Sequence, residues 1–243
     1  METAWDQVVL EETDSTNTEA ARRFAGRPLW VLAQRQTAGV GRRGRAWHGV
    51  QGNFFGSYIS APMCSPAEAA QRSFVAALAL SDVADALGLG PGISLKWPND
   101  VLLEGRKLAG ILLESEGNGA QITRLTVGIG INLASAPPSS VLEPGAVPSI
   151  ALAERITPPT PEAVLDLLAP AYARWTTRLE ADGFAPIRDA WLAKAARLGE
   201  TIEARLPRET HQGVFSTVDG TGALVLDTPR GPKVLHAADV HFP

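Results

Sequence analysis

Cysteine is almost absent from this chain: Cys64 is the only one in 243 residues. That excludes an internal disulfide framework and any cysteine-rich zinc site. Histidine is scarce too. His48, His211, His236 and His241 are scattered with no His-x-x-x-His pair, so nothing points to a structural metal. Positive charge is not in excess either. Twenty-two Lys+Arg against 26 Asp+Glu leave a formal net charge of −4, which argues against a dedicated nucleic-acid binder. No apolar run reaches the roughly 18 residues that a membrane span needs. Met1-Glu2-Thr3-Ala4-Trp5-Asp6 lacks the basic start and apolar core of a signal peptide. A cytoplasmic chain with no membrane partner is expected. What is present, 45% hydrophobic and 20% charged residues, suits one large globular domain or a large one plus a small one.

The richest stretch is Gln36-Thr-Ala-Gly-Val-Gly-Arg-Arg-Gly-Arg-Ala-Trp47. Gly39, Gly41 and Gly44 free the backbone for positive φ and close approach to a ligand. Arg42, Arg43 and Arg45 add planar, permanently charged donors, the equipment of a loop that closes over phosphates or a carboxylate. A solvated basic loop is the plain alternative. Gly39-x-Gly41-x-x-Gly44 also matches the dinucleotide-binding fingerprint, which demands a following helix and an acidic residue about 20 positions on. Arg45 to Gly52 is no helix, and residues 57–67 hold no Asp or Glu. That reading fails.

Elsewhere the pattern alternates strands and helices. Val8–Leu10 reads as a strand, followed by a helix from Thr16 to Phe24 with Thr16-x-x-Glu19 as a capping box. A helix start also offers free N–H groups and hydroxyls to a small polar ligand. Asn53–Ser60 is a strand, and Ser65-Pro66-Ala67-Glu68 opens a helix that Gly88 stops. Ile93–Leu103 reads as two strands about Pro98-Asn99, and Glu104-Gly105-Arg106 turns into a third, Lys107–Glu114. Lys96 and Lys107 sit in this apolar setting, where lysine is a poor packing choice. They either snorkel to water or converge on an anion, with Asp100 available to a hard cation. In the strand Leu125–Leu133, Gly128 and Gly130 line one face, a sign of close approach by a ligand or backbone, and Asn132 ends it. Ala134 to Pro148 is a loop. Thr160-Pro161-Glu162 starts an amphipathic helix that Pro170 is expected to kink, and a short helix spans Ala185–Ala196. From Leu198 on, Thr201–Leu206, Gly213–Val218, Ala223–Asp227 and Lys233–His236 are short strands between turns, suggesting an appended small β-barrel.

Five stretches in this order and spacing resemble the biotin protein ligases: Asp14–Asn17, Gln36–Trp47, Lys96–Asp100, Arg106–Leu112 and Gly128–Asn132. The resemblance covers nearly the whole chain. It implies an α+β fold of the class II synthetase type, a mixed sheet flanked by helices over residues 1–197, with an SH3-like barrel over 198–243. It also implies that biotin and ATP form biotinyl-5′-AMP, and that a lysine of a biotin carboxyl carrier protein then takes the biotinyl group. By motif, Ser15, Thr16, Asn17 and Gln36 would hold biotin, with Gly39 and Gly41 closing over it and Trp47 and Gly110 walling it. Lys107 would bridge the biotin carboxylate and the α-phosphate, and Arg42 would face the phosphates. Arg43, Arg45, Lys96, Asn99 and Asp100 would lie toward ATP, Asp100 with Mg²⁺, and Asn132 would read the adenine. The family loop commonly reads Gly-Arg-Gly-Arg; here Val40 takes the position of its first arginine, which removes a guanidinium there. Some relatives begin with a DNA-binding domain. Asp14 starts the first motif too early for one, so no DNA partner is expected, and a homodimer is compatible with the resemblance. The alternatives are a lipoate or octanoyl transferase, the octanoyl type using a catalytic cysteine, and a non-catalytic biotin-binding module.

Overall fold

Strict alternation of side chains gives the main sheet two unlike faces. On Leu29–Gln36, Trp30 and Leu32 belong to the large core while Leu29 and Val31 join Ala20 and Ile59 in a smaller cluster on the other side. On Ile122–Ile131, Leu125, Val127, Ile129 and Ile131 face the large core, leaving Thr126, Gly128 and Gly130 for the opposite face. The site lies on that second face.

The computed structural model describes residues 5–47, 50–143 and 145–242. His48 and Gly49, within the stretch read as non-helical, and Pro144, within the predicted loop, lie outside them, as do residues 1–4 and Pro243. The first unit contains β1 (Asp6–Thr13), α1 (Thr16–Arg23), β2 (Leu29–Gln36), β3 (Phe54–Ser60) and α2 (Pro66–Ala86). β4 (Ile93–Lys96), β5 (Asp100–Leu103), β6 (Arg106–Gly117), β7 (Ile122–Ile131), α3 (Pro161–Asp182) and α4 (Phe184–Leu192) follow. The seven strands run in the order β1-β2-β3-β7-β6-β5-β4. β1 and β2 are parallel, joined through α1, and every other pair is antiparallel, so the sheet is mixed. α2 packs on β6 and β7, and α3 on β2 and β3, over the large core. The expected capping box is formed at Ser65 and Glu68, a cap worth about 1 kcal/mol. α3 passes through Pro170 as one continuous helix.

The second unit is a five-stranded antiparallel sheet in the order β11-β10-β9-β8-β12. Its strands are β8 (Thr201–Arg205), β9 (Thr210–Val218), β10 (Leu224–Thr228), β11 (Gly231–Leu235) and β12 (Asp239–His241). The sequence pattern anticipates four of these and misses β12, whose three residues are too few to show an alternation. The two units share one core. Phe74 stacks edge-on against Phe184 and Trp191, each 5.2 Å away, and Trp191 reaches Phe215 of β9 at 6.5 Å. Trp97 Nε1 donates to the Gly222 carbonyl at 3.0 Å.

Candidate active site

The five sequence stretches converge on one cavity of about 390 Å³. At one end it is lined by the start of α1, at its floor by β6 and β7, at the far end by the β4–β5 turn, and above by the glycine–arginine loop and β12.

At the α1 end the sequence-level capping box does not form. Ser15 is the N-cap and caps nothing with its side chain. Glu19 instead pairs with Arg22 and Arg23. Thr16 turns to the sheet: its N–H and its hydroxyl lie 2.7 and 3.0 Å from Gln36 Oε1. Ser57, fully buried on β3, sits 2.7 Å from Thr16 Oγ1 and 2.6 Å from Asn17 Oδ1, and Asn17 Nδ2 donates to Glu114 at 2.7 Å. The hydroxyl that would have capped a helix is committed to the cavity wall.

The floor explains the strand glycines. A Cβ on Gly128 would lie 2.3 Å from Asn17 Oδ1, and one on Gly130 would lie 2.3 Å from Trp47 Cε2. One on Gly110 would meet the same indole at 2.9 Å. Close approach was expected of a ligand or backbone; two side chains, Asn17 and Trp47, make it instead. Lys107 Nζ lies over the Trp47 ring at 5.5 Å.

At the far end Asp100 sits between two ammonium groups, 2.7 Å from Lys107 Nζ and 3.7 Å from Lys96 Nζ. Burial alone would raise the Asp100 carboxyl, but Lys107 and then Lys96 outweigh it and hold it below the usual range. Burial pulls the Lys96 ammonium downward against the opposing charge of Asp100. Asn99 is tied down at both ends: its amide donates to the Ile111 carbonyl at 2.8 Å and its oxygen accepts from Arg42 at 3.4 Å. Asn132, 2% exposed, lines the cavity, its amide 3.4 Å from the Lys107 carbonyl.

The loop is a small hairpin. Gly41 N–H donates to Arg45 O at 2.7 Å, Trp47 N–H donates to Gly39 O at 2.8 Å, and Val40 bridges Ala46. Its tip takes positive φ at Arg43 (57°) and Gly44 (72°), the geometry that needs a glycine at one of them. Asp239 of β12 gathers the arginines: Arg43 at 2.7 Å, Arg45 at 2.8 Å and Arg42 at 3.8 Å. Glu143 holds Arg45 from the other side at 2.8 Å. Burial would raise Asp239; the arginines, Arg45 foremost, lower it below the usual range.

Of the residues expected at the site, Ser15, Thr16, Asn17, Gln36, Gly41, Arg42, Arg45, Trp47, Lys96, Asn99, Asp100, Lys107, Gly110 and Asn132 line the cavity. Arg43 and Gly39 do not. The left-handed turn leaves Arg43 outside the lining, held by Asp239, and Gly39 keeps the hairpin base tight, where a Cβ would meet Gln36 Nε2 at 2.8 Å. Asp239, Glu143, Ser57 and Glu114 carry no local sequence signal and were not anticipated.

Among the lining residues, four cations (Arg42, Arg45, Lys96, Lys107) face three carboxylates (Asp100, Glu143, Asp239), a site suited to an anionic ligand that exchanges partners with the carboxylates. Residues 9–132 match the biotin/lipoate A/B protein ligase family. The chain belongs to that family. Residues 198–242 match the biotin protein ligase C-terminal domain. Within the family, the chain is 52% identical over 241 residues to the biotin–[acetyl-CoA-carboxylase] ligase of Paracoccus denitrificans, covering 96% of this chain and 99% of that one. It is 32% identical to the bifunctional ligase/repressor BirA of Bacillus subtilis, over 96% of this chain and 72% of the relative. The fold is that of the Aquifex aeolicus biotin protein ligase solved with biotin and ATP, with a TM-score of 0.82, 24% identity and 97% of each chain covered. The family fold has its mixed sheet and its SH3-like C-terminal unit here. Cys64, half-buried in a bridge to Ile122, lies away from the cavity lining, and burial raises its thiol, so it has neither the place nor the reactivity of a nucleophile.

Proposed function

We propose that this chain activates biotin with ATP to biotinyl-5′-AMP and transfers the biotinyl group to a lysine of the biotin carboxyl carrier of acetyl-CoA carboxylase. The observation that carries this reading is the 52% identity to the Paracoccus denitrificans ligase over almost the full length of both chains. The cavity supports it with polar groups at one end, an indole over a glycine floor, and a cationic far end.

The reaction asks for two anions held in line and for charge on the phosphoryl oxygens to be offset. Thr16, Asn17 and Gln36 hold the ureido end, and Trp47 covers the hydrocarbon chain. Lys107, aimed by Asp100, meets the biotin carboxylate and the α-phosphate. Biotin oxygen bonds to the α-phosphorus as pyrophosphate leaves; Arg42, Arg45 and Lys96 take up phosphate charge as they give up Asp239 and Asp100. The carrier amine then attacks the acyl carbon and AMP departs. Asn132 contacts the adenine. Asp100 is the residue here that would hold a Mg²⁺ bound with ATP, once it yields Lys107 and Lys96, and the ion would supply positive charge toward the phosphates. No helix of the described residues is long and apolar enough to cross a membrane, and we assign the reaction to the cytoplasm. Residues 1–197 hold the biotin and ATP site, and 198–243 close it.

Pyrophosphate release on adding biotin and Mg·ATP tests the reading. Release that requires biotin is expected. No release with biotin would favour the transferase, which moves an already activated acyl group, or the non-catalytic biotin-binding module.

A further inference from the structure

The chain enters and leaves the second unit at one place, beside Lys96. Before β8 it runs along β4: Leu95 N–H donates to the Lys194 carbonyl and Ala196 N–H to the Leu95 carbonyl, each at 2.8 Å. Arg197 then turns toward β8 with a left-handed φ of 64°. After β12 the chain returns, and Phe242 packs against the core at this junction. Its ring carries two cations, Lys96 Nζ at 5.6 Å and Arg197 Cζ at 5.4 Å from the centroid. The two differ in what else they have. Arg197 is half exposed and pairs with Glu200 at 2.6 Å. Lys96 is 8% exposed, and the carboxylate it faces, Asp100, lies 3.7 Å away and is taken by Lys107 at 2.7 Å. Among the described residues Lys96 Nζ makes no hydrogen bond. An aromatic face steadies a cation through its quadrupole, without the strong acceptor lone pairs of a carboxylate. Lys96 therefore lines the cavity with N–H donors still to give.

We propose that Phe242 is a positioning residue for Lys96: its ring holds the buried ammonium at the cavity and leaves its donors for an anionic oxygen of the nucleotide. The inference deepens the ligase reading and rests on it. It gives the two lysines of the far end different supports. A carboxylate aims Lys107 and is bonded to it; a ring aims Lys96 and leaves it unbonded. Phe242 itself does not line the cavity, so it acts only through Lys96. A leucine or methionine in its place would keep apolar bulk and lose the attraction, whereas a tyrosine would keep both.

The test measures pyrophosphate release by the full chain against ATP and against biotin, for wild type, Phe242→Leu, Phe242→Met and Phe242→Tyr. The two ring-free variants should raise the KM for ATP about tenfold, as expected for a desolvated cation–π contact, with the KM for biotin within about twofold. Phe242→Tyr should stay within about threefold of wild type in both. The deciding comparison repeats Phe242→Leu and Phe242→Met in a Lys96→Met background. There the ring has no ammonium to hold, so neither change should raise the KM for ATP further. An unchanged KM for ATP in the ring-free variants overturns the inference. So does an equal rise with and without Lys96, which is what loosened packing of the last strand would give by itself. Wild type that releases no pyrophosphate with biotin would overturn the ligase reading, and this inference with it.

Discussion

In the proposed reaction Lys107 carries the heaviest load among the side chains, and its setting dictates the substitution that tests it. Removing it outright would leave the largely buried Asp100 carboxylate with only the more distant Lys96, at 3.7 Å, which is expensive. Lys107→Gln keeps a donor for Asp100 and deletes only the charge. It should lower pyrophosphate release about 10²–10³-fold, the usual loss for one preorganised donor to developing charge, with little change in melting temperature. Full activity in that variant would mean that Lys107 serves Asp100 alone. Gly130→Ala should act through Trp47, since the new methyl would lie 2.3 Å from the indole. Overpacking of this kind costs about 1–3 kcal/mol. The KM for biotin should rise about tenfold or more; an unchanged KM would show that the indole does not cover the ligand. At this scale the sequence was legible wherever residue type and spacing were unusual together: lysines in apolar strands, glycines on one strand face, arginines among glycines. Ser57 in Phe54–Ser60 looks like any β-strand serine, and only the fold brings it to Asn17 and Thr16.

The elements were legible where local chemistry and tertiary contacts agree. Ser65 and Glu68 cap α2 as their spacing predicts. Thr16 and Glu19 have the same spacing and do not cap, because Gln36 and Ser57 offer the threonine hydroxyl better-placed partners on β2 and β3. The glycine–arginine loop is a hairpin in which Asp239 and Glu143 neutralise arginines that would otherwise repel one another, contacts that its local sequence does not announce. That clamp can be measured. Asp239→Asn should speed tryptic cleavage after Arg42, Arg43 or Arg45 about three- to tenfold, as expected for partly exposed ion pairs worth roughly 1 kcal/mol in sum. Equal cleavage would show that the hairpin bonds suffice. The pH dependence follows from Asp239, whose folded carboxyl lies below its unfolded value. Its contribution is complete above the unfolded value of about 4 and is lost as pH falls through the folded one. Cleavage by an acid-tolerant protease should therefore be flat from about pH 7 to 5 and rise only below about 4.

For the whole molecule, the division into an α+β unit and a β-rich unit was readable from the change in pattern near Leu198, but their interdependence was not. The Phe74–Trp191–Phe215 contacts and the reach of β12 over the cavity join residues far apart in sequence, which no local period records. The central claim is that one cavity makes an activated biotin and hands it on. The most direct measurement is a two-stage transfer. The chain is incubated with biotin and Mg·ATP, freed of nucleotide, and then mixed with the biotin carboxyl carrier domain alone. Biotin should appear on a single carrier lysine without further ATP, in an amount no greater than that of the chain. Transfer only when ATP is present in the second stage, or none onto the carrier at all, would contradict the account.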